Sequence, residues 1–462
     1  MRGLALNVYT NRTVSRSREL CPGSARRGCT QSQELACLLE TEKDCLAALN
    51  PKEALDQRVH SPADSPLTGV KVLALEQFQA LPFCTNILAR LGADVVKVEL
   101  PPAGEMARIS RPGLTGPDGS YYGGTFLRNN HNKQSLAINW KHPTGAELLQ
   151  RISSNFDVFA ENFRAGALDK YGLSYEVFRE ADPRTIYLSI SGFGHDKASP
   201  YYEWAAFASV VGAMVGFYAS DSSKDGIPKV GGAGTLGDSV AGLYAAIGIL
   251  AALRARDASG RGQHIDISML DCMVAIQDFA ISQWALREEA STAIGIVDAF
   301  RCADGFFVLV VNRPHQFQKL ASLIGKEAWL DDPGLKTAME WEANLTAVIR
   351  PAVEAWSRSR TRLDACRELA AAGIAAGPML AIAELVADEH LRLRSMIHQS
   401  PLVGSTGQPY LYPGNPLKLS EMAERADEPP PRLGAATTAI LKSCGLSGAE
   451  IDSLRGQRII GP

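Results

Sequence analysis

From Leu67 onward, short apolar runs alternate with longer stretches of helical spacing. Val70 to Leu75 has the length of a buried strand. Pro82 to Leu91 repeats its apolar positions with helical period, Pro82 marking the start and Gly92 closing the end. Ala93 to Val98 returns as a second strand. Strand, helix and strand joined by tight turns make a βαβ unit, whose strands run parallel under helices. Further strands are expected at Asp157 to Ala160 and Ile186 to Ile190, alternating with helices such as Gly145 to Ser153. A long helix is expected from Asp238 to Arg256, then a turn at Ser259 to Gly262, a strand at His264 to Ser268 and a helix from Met269. The pattern predicts an open α/β architecture.

A smaller α+β unit is expected over 296–385, where Asp304-Gly305 turns into the strand Phe306 to Val311 and helices occupy Arg350 to Gly373. Residues 386–462 read as a return segment, with Pro-rich text at Glu428 to Arg432 ahead of a helix at Thr437 to Ser443. That leaves 66–295 as the large domain. Residues 1–65 differ in kind: Arg2, Arg12, Arg16, Arg18, Arg26 and Arg27 stand against a single acid, Glu19, before residue 34. Such a stretch reads as a mitochondrial transit segment, a disordered tail or an over-extended gene start. It has no apolar core of the kind that directs secretion.

Composition narrows the function. Hydrophobic residues make up 46% and charged residues 21%, the balance of a folded soluble protein. A net charge of −3, from 47 Lys+Arg and 50 Asp+Glu, supplies no broad basic surface, so no nucleic-acid partner is expected. The apolar run Val240 to Leu253 falls short of the roughly 18 residues of a membrane span. It reads as a buried helix, and no membrane partner is expected. The 9 cysteines form no CxxC pair, and reduced thiols in a cytoplasmic protein are the expectation. No metal site is expected, because the histidines are scattered.

One glycine-rich loop stands out. Gly232-Ala233-Gly234-Thr235-Leu236-Gly237 fits GxGxxG and leads into a helix. A dinucleotide fingerprint, however, follows the first strand of a βαβ unit, whereas this loop follows the polar stretch Asp221 to Val230. The first βα turn, Glu76 to Leu81, has no glycine. The loop instead delivers one carboxylate, Asp238, to a helix start, where free N–H groups and the helix dipole favour its ionised form. On spacing alone, an Asp in that place is a helix cap.

Several separated motifs then agree in order. They are Leu67 to Leu73 (LTGVKVL), Leu91 to Glu99 (LGADVVKVE), Asn132 to Ser135 (NKQS), Glu161 to Gly166 (ENFRAG), Ser191 to Gly194 (SGFG), Gly237-Asp238-Ser239 with Gly242, Gly260 to Gln263 (GRGQ) with Asp266 and Met269, and Gly373 with Gly377-Pro378. In these the chain resembles the family III CoA-transferases, the group of formyl-CoA:oxalate and carnitine CoA-transferases. The resemblance implies a Rossmann-like large domain, a smaller domain and an interlocked homodimer. It implies an enzyme that moves coenzyme A from an acyl-CoA to a small carboxylic acid, with Asp238 as the nucleophile and Gln79 and Glu203 beside it. It maps CoA contacts onto Gln79, Ala80, Ile138, Lys141, Asn162, Phe163, Arg164, Lys170 and Met269.

The chain departs from the family pattern in places. Leu81 stands where Ala-Gly-Pro has its glycine, which would crowd the CoA entrance. Leu100 stands where the formyl-CoA enzyme has an arginine, and Leu433 to Thr437 lacks the usual histidine. Two other functions fit the same fold. One is an α-methylacyl-CoA racemase-like enzyme, for which Gly194-His195-Asp196 lies too early in the chain, so that His195 reads as a loop histidine without a proton role. The other is a CoA-binding protein without catalysis, against which the intact Gly-Asp-Ser setting of Asp238 speaks.

Overall fold

The computed structural model describes residues 65–116, 119–218, 230, 234–277, 280–286, 295–404, 407, 409–422 and 424–461. The expectations for the N-terminal 64 residues, and for most of the stretch leading to Gly234, lie outside these.

Six strands form one sheet: β1 Lys71–Leu75, β2 Asp94–Glu99, β3 Lys133–Ala137, β4 Val158–Glu161, β5 Ile186–Ser191 and β6 His264–Ser268. Their order is β3-β2-β1-β4-β5-β6, all parallel. This is the order of a nucleotide-binding Rossmann sheet. Alternation along each strand loads both faces with apolar side chains, as a sheet buried on both sides requires. One face, bearing Val72, Ala74, Val158, Ala160, Leu188 and Ile190, packs on α1 Ala80–Arg90 and α5 Leu236–Ser259. The other, bearing Leu73, Leu75, Phe159 and Tyr187, packs on α2 Pro143–Ser153, α3 Tyr175–Ala181, α10 Thr437–Ser443 and α11 Gly448–Gly456. The chain end at Ile459 to Gly461 hydrogen-bonds to Ala137 and Asn139 and covers the β3 edge, which would otherwise offer unpaired backbone groups.

Two helices start earlier than their sequence signals. α1 begins at Ala80, because Pro82 needs no N–H in a first turn. α5 begins at Leu236 rather than Asp238, which makes Asp238 the third helical residue and not the cap. It ends where Gly260, at φ +72°, donates to Arg256 O at 2.7 Å, a left-handed closure that glycine adopts without strain.

Beyond the sheet come the short helices α4 Ala208–Met214, before α5, and α6 Met269–Ala275, after β6. A separate core forms around Phe300, Phe307, Phe317 and Trp341. Its antiparallel sheet has the order β9-β8-β7, from β7 Ile296–Cys302, β8 Gly305–Val311 and β9 Ala375–Pro378, with α7 Pro314–Leu323, α8 Arg350–Ser357 and α9 Arg362–Ala371 around it. The hairpin β10 Ile397–Val403 and β11 Pro409–Pro413 opens the return to the large sheet. Asp427 ties that return down, meeting Arg90 at 3.0 Å and Asn132 at 2.9 Å.

Candidate active site at the carboxyl edge of the sheet

In the large sheet β1 is followed by β2 on one side and is flanked by β4 on the other. The turns after β1 and β4 therefore diverge and open a crevice at the strand ends, where open α/β sheets take their ligands. Asn162, just past β4, closes the floor of that crevice. Its side-chain oxygen accepts from Gln77 N–H at 2.9 Å, and its amide donates to Gln77 O at 2.9 Å. The next residue, Phe78, has φ +58°, a conformation that costs a non-glycine residue strain. Glu105 holds it there by accepting its N–H at 2.7 Å. Gln79 follows, buried at 5% exposure. Its oxygen accepts from Asn129 at 2.8 Å, and its amide nitrogen has no partner among the described residues.

Beneath this turn lies a buried ionic network that the sequence reading missed. Glu76 meets Lys133 at 2.7 Å and Lys97 at 3.3 Å, and Lys97 reaches Glu105 at 2.8 Å. Burial pushes the Glu76 carboxyl up, but the two lysines overcome it and hold the pKa below its ordinary value. Burial brings Lys133 down to about 8. The available signal was Lys97 itself, a charge in the middle of the apolar strand Val95-Val96-Lys97-Val98.

Asp238 reaches the same edge from α5. One turn further along that helix, Gly242 lets α5 approach α1 so closely that a Cβ there would stand 2.7 Å from Ala80 O. Side chains one turn apart share a helix face, so Asp238 projects past the start of α1, toward Gln79. A Cβ on Gly237 would lie 3.2 Å from the Met269 sulfur, which puts Met269 beside it. Asp238 is half-buried, and among the described residues its carboxylate has no hydrogen-bond or ionic partner. Burial alone raises its pKa to about 6. The expected stabilisation of the ionised form by the helix start is outweighed, because no N–H among the described residues is aimed at the carboxylate.

The other candidate residues divide into groups. Phe163 and Tyr171 pack edge-on against Trp140, with ring centroids 5.4 and 5.3 Å apart. Lys141 lies over Trp140 and Lys170 over Tyr171. These form one aromatic patch rimmed by two exposed cations. Arg164 is exposed and donates to Glu203 O at 3.0 Å. The side chain of Glu203 is exposed and meets no partner among the described residues. Ile138 is fully buried, and its N–H is engaged by Glu99 O. Leu81 corrects an expectation: at 0% exposure it points into the core under α1 and does not crowd the entrance. Among the described residues no group of three or more His, Cys, Asp or Glu is placed to hold a metal.

A second cluster was also missed, on the sheet face opposite α5. Glu161, Ser189 and Asp266 are neighbours in register across β4, β5 and β6. His195 is gripped by Asp266 twice, through its backbone N–H and through Nδ1, both at 2.8 Å. Its Nε2 is 3.8 Å from Glu161.

A parallel sheet in Rossmann order with a half-buried carboxylate near its carboxyl edge defines an α/β protein with a ligand crevice at the strand ends. The comparisons with known proteins make the class specific. The CoA-transferase family III model matches residues 67–437, and the chain belongs to that family of enzymes. A formyl-CoA:oxalate CoA-transferase of Rhodopseudomonas palustris is 31% identical, covering 86% of this chain and 97% of the relative. A succinate–glutarate CoA-transferase of Agrobacterium fabrum is 32% identical, covering 81% and 95%. A succinyl-CoA–L-malate CoA-transferase beta subunit of Chloroflexus aurantiacus is 29% identical, covering 86% and 98%. The crystal structure of a CAIB/BAIF family protein from Brucella suis superposes with a TM-score of 0.71 at 30% identity, over 82% of this chain and all of that one.

Proposed function

We propose that Asp238 carries the transfer covalently. Its carboxylate attacks the thioester carbonyl of an acyl-CoA, expelling the CoA thiolate and leaving a mixed anhydride. The thiolate attacks the aspartyl carbonyl, releasing the donor acid and leaving CoA on Asp238 as a thioester. The acceptor carboxylate displaces the thiolate to form a second anhydride. Return of the thiolate to the acceptor carbonyl gives the new acyl-CoA and restores Asp238. The observation that carries this reading is the half-buried state of Asp238, without a partner among the described residues, at the start of the helix packed on Ala80. A carboxylate stripped of water and hydrogen bonds is a stronger nucleophile than a solvated one. The Gln79 amide, without a partner among the described residues, supplies a donor for the oxygen that gains charge.

In this reading the Trp140–Phe163–Tyr171 patch takes the nucleotide end of CoA, with Arg164, Lys141 and Lys170 at its phosphates. Ile138 and Asn162 shape the floor. The acceptor is a short dicarboxylic acid, the class shared by the oxalate, malate and glutarate in the relatives' names. A second copy of the chain covers the outward stripe of α5, where Leu243 is 48% and Ile247 61% exposed, as in an interlocked homodimer. A cytoplasmic location belongs to the same reading. The racemase reading is weaker, because His195 sits on the sheet face opposite α5 and is bound to Asp266. A matrix of acyl-CoA donors against mono- and dicarboxylic acceptors, with thioester products read by mass, tests the assignment. New thioesters with dicarboxylates support it, and thioester hydrolysis with no transfer to any acceptor refutes it.

A further inference from the structure

We propose that His195, clamped by Asp266, is a positioning residue for CoA: its cation holds the Glu161 carboxylate on the Phe163 N–H and so sets the turn that presents Phe163 and Arg164. The proposal rests on the CoA site read above. Glu161 ends β4, and its side chain is 4% exposed. One carboxylate oxygen accepts the Phe163 N–H at 2.8 Å, and the other faces His195 Nε2 at 3.8 Å. Asp266 fixes both the backbone and the ring of His195, so the imidazole cannot swing away while that clamp holds. Ser189 bonds to Glu161 and lies 3.0 Å from His264 Nε2, which completes a chain of polar groups across three strands.

This cluster opens into a cavity of about 280 Å³. The charges acting on Glu161 are His195 from the loop after β5 and Asp266 from β6, and His264 from β6 with Arg164 and Asp169 from the segment after β4 line the same cavity. Glu176 of α3 and Lys197 complete the wall. Burial raises the Glu161 pKa to about 7, against the Phe163 N–H and the His195 charge. Burial pulls His195 down, but Asp266 and Glu161 outweigh it and raise its pKa. Glu161 therefore exchanges its proton near neutral pH, and the His195 cation favours its charged form. Once protonated it grips the Phe163 N–H less firmly, because a charge-assisted hydrogen bond becomes a neutral one.

The test is the dissociation constant of CoA, measured by calorimetry on the full chain between pH 6 and 9. The wild type should bind several-fold more weakly below a midpoint near that of Glu161. His195→Gln should move the midpoint up by about one pH unit, the usual effect of removing a nearby opposite charge. Glu161→Gln should bind without this step, at the wild type's low-pH affinity. Ionisation of CoA itself is common to all variants and cancels between them. An unmoved midpoint in His195→Gln, or a step retained in Glu161→Gln, overturns the proposal. Should His195→Gln fail to fold, Glu161→Gln decides alone. Arg164→Ala at pH 8 separates the two levels: unchanged affinity there would overturn the CoA site, and the positioning role with it. Weakened affinity beside an unmoved midpoint would overturn the positioning role only.

Discussion

Replacing Asp238 by asparagine should make the protein more stable while abolishing transfer. The carboxyl rises from 3.8 to about 6 on burial, roughly two units. At 1.36 kcal/mol per unit, ionising it in the folded chain costs about 3 kcal/mol, an upper figure because solvent reaches part of the group. The folded pKa lies above the unfolded one, so the folded form holds the extra proton between the two values. The benefit of the neutral acid is complete below pH 4 and is lost as pH rises through 6. The asparagine amide, neutral throughout, escapes that loss. Thermal melting of the two proteins from pH 4.5 to 8.5 should show Asp238→Asn ahead by a few degrees above pH 7, with the gap closing in acid. A variant that melts below the wild type at pH 8, or a gap independent of pH, would refute the desolvation argument. The stability cost would then not be the counterpart of nucleophilicity.

Further perturbations follow from the same geometry. kcat/KM should fall with unit slope below about pH 6, where Asp238 becomes protonated; a flat acid limb in the pH–rate profile would contradict this. Arg164→Ala should weaken CoA binding by about 2 kcal/mol, roughly thirtyfold, with reduced salt dependence in calorimetry. Lys97→Met should destabilise the fold by about 3–5 kcal/mol in urea unfolding, because it leaves Glu105 and Glu76 buried with one cation fewer. Asn162→Asp should raise KM for the acyl-CoA and lower stability by about 1–3 kcal/mol, because a carboxylate oxygen would face Gln77 O where an amide donates now.

The strands and long helices were legible because their apolar spacing is what buries both faces of a parallel sheet. Terminal residues were less so: α5 begins before Asp238, at a point that no spacing rule announces. Asp238 was singled out through the motifs around it, since an acid near a helix start carries no chemistry by itself. Its raised pKa was not legible, because burial of the carboxyl is a three-dimensional fact. The same holds for Leu81, whose bulk goes into the core, and for Asn162, whose amide serves the floor. His195 illustrates the limit most sharply. Its clamp comes from Asp266, a residue of another strand, brought alongside only by the pairing of β5 with β6.

In the proposed reaction CoA becomes covalently bound to Asp238. Incubating the enzyme with an acyl-CoA without acceptor acid, followed by peptide mass analysis, measures this directly. A CoA mass is expected on the peptide containing Asp238, converted by hydroxylamine to a hydroxamate on that side chain and absent from Asp238→Ala. Full transfer activity in Asp238→Ala, or turnover with no adduct on that peptide under conditions that trap thioesters, would contradict it.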